Sequence, residues 1–74
     1  MKVTEKRINE LIKENADFSK VTLNEITITD SDNAFCIELE DNDSNLVTDY
    51  IFKNNVISDN DLGDQVCKIV EKFN

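Results

Sequence analysis

The sequence contains no histidine, two cysteines and a single glycine in 74 residues, and several chemistries fall with those absences. Zinc takes four ligands, usually thiolate or imidazole, and Cys36 and Cys67 alone cannot supply them. The two cysteines read as ordinary thiols, one on an expected strand and one on an expected helix. A disulfide between them is disfavoured in a reducing compartment. No nucleophile stands beside a base, and no Gly-rich loop with its lysine is present to hold a phosphate. Carboxylates are plentiful, but acid–base catalysis needs two in different environments within a cleft, which a domain this small rarely forms. The chain therefore reads as a binding protein and not an enzyme, with no cofactor and no metal site.

Long apolar runs are missing as well. Nothing approaches the run of about 18 residues that a membrane-spanning helix requires. The opening MKVTEKRINELIKEN is too charged to contain the apolar centre of a signal peptide, so an intracellular, cytoplasmic protein is expected. Positive charge is scarce: eight basic residues stand against sixteen acidic ones, a net charge of −8. Phosphate binding demands lysine and arginine, so nucleic acid is excluded as a direct ligand. An anionic membrane surface is disfavoured for the same reason.

What is present is patterned. The length suits one domain, residues 1–74, which hides roughly 60% of its unfolded surface and has a net stability of about 4 to 11 kcal/mol. Residues 4 to about 15 read as a helix, with Ile8, Leu11 and Ile12 on one face. Thr4 is its N-cap, and Val3 and Ile8 sit at the positions of a hydrophobic staple. Asn15 to Lys20 reads as a connector anchored by Phe18. From Val21 to Phe52 the period changes to two, giving three strands: VTLNEITIT, AFCIELE and LVTDYIF. In the first, Val21 and Leu23 share one phase and Ile26 and Ile28 the other. A β-bulge at Asn24–Glu25 explains the slip, unless the strand begins only near Glu25. In the second, Phe35, Ile37 and Leu39 face inward. Both faces of the third carry apolar groups, and the side of Tyr50 and Phe52 is expected inside, because Asp49 would otherwise be buried without a partner. Asn54-Asn55 could turn into a fourth strand at Val56-Ile57. A last helix begins near Asp59, capped by Ser58 or Asp59, with Leu62, Val66, Ile69, Val70 and Phe73 as its stripe. The expected fold class is α+β in two layers: a three-stranded antiparallel meander with both helices on one face.

Charge is distributed unevenly. Residues 25–64 hold eleven acids against Lys53 alone, a net charge of −10, while the segments on either side are slightly positive. A chain of this length is about 29 Å across, and duplex DNA carries about 17 charges over that distance. Ten net negatives over a similar span make more than half that density. Such a surface would capture the basic groove of a protein by fast, steered association. The anionic contacts expected are Asp30, Asp32, Glu38, Glu40, Asp41, Asp43 and Asp49. The competing account is solubility alone, with the sheet edge, and Val47 and Ile51 if they face outward, supporting a homodimer. A third is calcium: Asp41-Asn42-Asp43-Ser44-Asn45 opens like an EF-hand loop. The match fails at Leu46, where glycine belongs, and at Phe52, where a bidentate glutamate belongs.

Taken as a plan, with Ile8-Asn9-Glu10-Leu11-Ile12 in its first helix, the chain resembles small acidic proteins that phages encode against host defence. It is similar in particular to a family of anti-CRISPR inhibitors with an N-terminal helix, a three-stranded antiparallel sheet and a following helical part. That likeness lies in build, size and charge. It implies an inhibitor that mimics DNA and occupies the groove in which an RNA-guided nuclease, or another nucleic-acid-binding protein, reads its target, within the host cytoplasm. The family's additional C-terminal helix has no counterpart in the pattern, and none of its binding residues is carried over.

Overall fold

Thr4 opens the first regular element: its hydroxyl accepts the backbone N–H of Arg7 at 3.2 Å, satisfying one of the free donors of a helix start. In the computed structural model, which describes residues 2–74, helix α1 then runs Glu5–Ser19. It is longer than expected. Ala16 continues the buried stripe of Ile8, Leu11 and Ile12, and the Asn15 side-chain amide donates to the Leu11 carbonyl at 2.8 Å. The segment read as a connector is thus mostly the last turn of α1. Phe18 anchors nothing; it is 90% exposed. The helix stops at Lys20, whose φ of 58° turns the chain out of the helix through the left-handed conformation that often ends helices.

Strands β1 (Leu23–Asp30), β2 (Ala34–Asp41) and β3 (Leu46–Phe52) form one antiparallel sheet in the order β1-β2-β3. The register of β1 slips between Leu23 and Glu25. That bulge lets Leu23 and Ile26 both pack against the core, although strict alternation would send them to opposite faces.

The facing of β3 is the reverse of the sequence expectation. Val47 lies opposite Leu39 and Ile51 opposite Phe35, and both are buried, while Leu46, Tyr50 and Phe52 are 67, 55 and 51% exposed. Asp49 shares the inward-facing side but sits at its rim. Its carboxylate takes the Lys72 ammonium and, at 2.8 Å, the backbone N–H of Tyr50. The partner that Asp49 was expected to lack comes from the far end of the chain. Because Val47 and Ile51 are interior, the apolar homodimer patch built on them does not exist.

After β3 a short 3-10 turn, Lys53–Asn55, delivers Val56 to the core and leaves Ile57 exposed. Val56 and Ile57 form no fourth strand. Ser58 caps helix α2 (Asp59–Glu71), accepting the Asp61 N–H at 3.1 Å. Leu62, Val66, Ile69 and Val70 are its buried stripe, with Phe73 packed partly against the same core. Arg7 grips Asp59 through two hydrogen bonds of 2.9 and 2.8 Å, and Leu11 lies beside Gly63. The helices therefore run side by side in the same direction, as a three-strand excursion between them requires. Both cover one face of the sheet, giving an α+β fold of order α-β-β-β-α. Among the described residues, no helix or strand covers the other face.

Candidate functional site

The alternation of each strand decides what the bare face displays. From β1 come Glu25, Thr27 and Thr29; from β2, Cys36, Glu38 and Glu40; from β3, Leu46, Thr48, Tyr50 and Phe52. None of these positions holds a lysine or arginine. Glu25 lies directly opposite Glu40, and Glu38 follows one step along the same face. Like charges placed opposite each other on a sheet repel, so the Glu25–Glu40 pairing works against the fold; Glu25 accepts one long hydrogen bond, from the Thr27 hydroxyl at 3.4 Å. The three carboxylates surround a shallow depression of about 110 Å³ that is also lined by Thr27 and Leu46. Glu40 accepts one hydrogen bond, from the Asn24 amide at 3.0 Å. Along the neighbouring edge, Tyr50 and Phe52 stack with their ring centres 6.1 Å apart and their planes at 27°. The acids thus occupy one end of this face and the aromatic pair the other, and the two groups meet where Tyr50 lies diagonal to Glu38.

The seven acids singled out in the sequence are not brought together. Glu38 and Glu40 are on the bare face. Asp30 is on the helix side, bonded to the Lys53 ammonium at 2.6 Å, and that ammonium also lies 4.8 Å from the ring centre of Phe35. Asp32 is exposed in the β1–β2 turn, and Asp43 at the tip of the opposite turn. Asp49 is paired with Lys72 at the rim.

Asp41 is occupied by its own turn. One carboxylate oxygen accepts the N–H groups of Asp43 and Asn45 at 2.9 and 2.8 Å, and the other accepts the Asn45 side-chain amide at 3.0 Å. Those bonds, the Asn45 side chain foremost, hold its carboxyl below the ordinary aspartate range. The loop that opens like an EF-hand is thus a hairpin turn closed by Asp41, with Ser44 in the left-handed conformation at φ 66°. Among the described residues no three histidine, cysteine, aspartate or glutamate side chains gather as metal ligands. The two cysteines are free. Cys67 donates to Glu71 at 3.2 Å, and that carboxylate pushes its thiol up from the ordinary value.

Sequence reasoning missed Glu25, Leu46, Tyr50 and Phe52. The β1 bulge was the available signal for Glu25, since it puts that residue in phase with Glu40. For the β3 trio the signal was the short β2–β3 turn, which brings Val47 opposite Leu39 and so fixes the facing of the whole strand.

No protein-family model matches this chain, and no curated protein or solved structure matches it either. Among the described residues, no helix is long and apolar enough to cross a membrane.

Proposed function

We propose that this chain is a binding protein whose bare sheet face docks on a basic surface of a partner protein, in the manner of an inhibitor that fills a nucleic-acid-binding groove. The observation that carries the reading is the contrast between unneutralised and neutralised acids. Glu25, Glu38 and Glu40 stand together on a face to which no described residue brings a lysine or arginine, whereas Asp30, Asp49 and Asp59 have each been given a cation. A partner's lysines and arginines would supply the missing counter-charges. Leu46, Tyr50 and Phe52 would bury against its apolar stems, adding the desolvated contacts that carry most interface energy. Groups of this kind favour a protein groove as the occupant, since a purely phosphate-like mimic would need no aromatic ridge. An RNA-guided nuclease or another nucleic-acid-binding protein of the host offers such a groove.

The test is capture from host lysate by wild type and by a variant carrying Glu25→Gln, Glu38→Gln and Glu40→Gln. Wild type should retain a nucleic-acid-binding protein, lose it as salt rises from about 50 to about 500 mM, and release it when DNA or RNA is added. The folded variant should retain none. Equal retention by both proteins would overturn the reading.

A further inference from the structure

The bare face places a carboxylate beside an aromatic ring, and that pairing discriminates between cations. Glu38 lies opposite Thr48, so Tyr50 is its diagonal neighbour on β3, at a separation of about 7 Å that long side chains span. Tyr50 is more than half exposed, and its ring is held against that of Phe52. A guanidinium laid flat on such a ring gains cation–π and stacking energy. Its in-plane N–H fork remains free to donate two parallel bonds to a carboxylate alongside. A lysine ammonium can also touch a ring and a carboxylate together, as Lys53 does with Phe35 and Asp30, but as a compact, strongly hydrated point charge it has neither the flat stacking surface nor the parallel pair of donors.

We propose that the bare face is an arginine-reading surface. One partner guanidinium stacks on Tyr50 and bonds Glu38, and a second enters the depression between Glu25 and Glu40. The proposal rests on the reading of this face as a docking surface for a basic protein and specifies which cation it takes. Charge complementarity fixes the occupant. A second copy docked through the same face would bring three more carboxylates and no lysine or arginine, and nucleic acid is repelled by a chain of net charge −8.

The chain has one tyrosine and no tryptophan, so its intrinsic fluorescence reports on Tyr50 directly. Oligo-arginine and oligo-lysine peptides of equal length would be titrated into the protein at about 150 mM salt. Oligo-arginine should bind about tenfold more tightly and alter the tyrosine emission, which oligo-lysine should leave nearly unchanged. Tyr50→Leu keeps apolar bulk without the ring. Followed by calorimetry, it should reduce the preference to about twofold or less while leaving oligo-lysine affinity in place. Glu38→Gln should weaken oligo-arginine more than oligo-lysine. Equal affinity for the two peptides, or a preference that survives Tyr50→Leu, would overturn the arginine assignment. If both bind equally and the triple glutamine variant binds neither, arginine reading fails but docking on a basic surface stands. If neither peptide binds, arginine reading fails, and the lysate capture decides the broader reading independently.

Discussion

The two faces of the sheet are made by alternate residues of the same strands, yet they handle charge in opposite ways. On the helix side and its rim, Asp30 and Asp49 each receive a lysine, and Arg7 holds Asp59 where the helices begin. Asp41 spends its oxygens on a turn. On the bare side Glu25 and Glu40 are set against each other with Glu38 beside them. Acids on the covered face are integrated into the fold, while those on the bare face are tolerated by it. Among the described residues, Glu25, Glu38 and Glu40 are acids to which the fold supplies side-chain hydrogen bonds at most and no cation.

The strongest way to break that contrast is to substitute neighbours on β2 that face opposite sides of the sheet. Leu39 is fully buried among the core side chains, so Leu39→Ala should cost about 3 kcal/mol. Against a total of about 4 to 11 kcal/mol, that would leave the protein near its unfolding limit. Glu38→Gln, one residue away, should change stability by no more than about 0.5 kcal/mol. Urea denaturation measures both. Comparable losses would mean that the bare face is structural after all.

Asp49 offers a finer comparison, because it is a charged residue on the covered side. Removing its bonds to Lys72 and Tyr50 through Asp49→Ala should cost about 1 kcal/mol at neutral pH, discounted for the partial exposure of the pair. The Lys72 bond, and then that from Tyr50, hold its carboxyl below the ordinary value of 3.8. A depressed folded value means that the unfolded chain takes up the proton first. The stabilisation is therefore complete above the ordinary value and is lost as pH falls through the folded one. The gap between wild type and Asp49→Ala should narrow from about pH 4 downward. If it stayed constant to about pH 2, packing and not charge would be responsible.

Within the helix layer, Gly63 shows that the covered side is not at its optimum. A Cβ built there would meet Leu11 Cδ2 at 4.0 Å, an ordinary contact. Gly63→Ala should stabilise the protein by about 0.5 to 1 kcal/mol through helix propensity alone. A raised thermal midpoint would show it, and a lowered one would mean that the two helices sit closer than this spacing implies.

Much of the architecture was legible because it is local. The α1 and α2 stripes, the caps Thr4 and Ser58, the alternation of β2 and the slip at Asn24–Glu25 each follow from residues within a few positions of one another. For β3 two cues conflict: the short β2–β3 turn sets Val47 opposite Leu39, while burial of Asp49 argues the other way unless it has a partner, and that partner, Lys72, is 23 residues further along. The last turn of α1 is hard to see in the sequence because Phe18 is the conspicuous apolar residue there, whereas the small Ala16 is the one that packs. For the candidate surface, the letters gave the sign of the charge but not its direction. Glu38 and Glu40 were found because β2 alternates cleanly. The expectation that puts Tyr50 and Phe52 inside rests on the same premise, an unpartnered Asp49, that the Lys72 contact removes.

The smallest expected effect tests the comparison most directly. Glu25 and Glu40 face each other across β1 and β2, and an opposed like-charge pair costs a few tenths of a kcal/mol. Glu25→Gln keeps the shape and hydrogen-bonding reach of the side chain while removing one charge of the pair. It should therefore raise stability by about 0.3 kcal/mol at low salt, with the gain shrinking as salt rises. The same substitution should weaken capture of a basic partner. Opposite signs for folding and binding are expected where a surface keeps groups that its own structure does not need. If Glu25→Gln destabilised the protein, this carboxylate would have an intramolecular role, and the bare face would differ less from the covered one than its charges suggest.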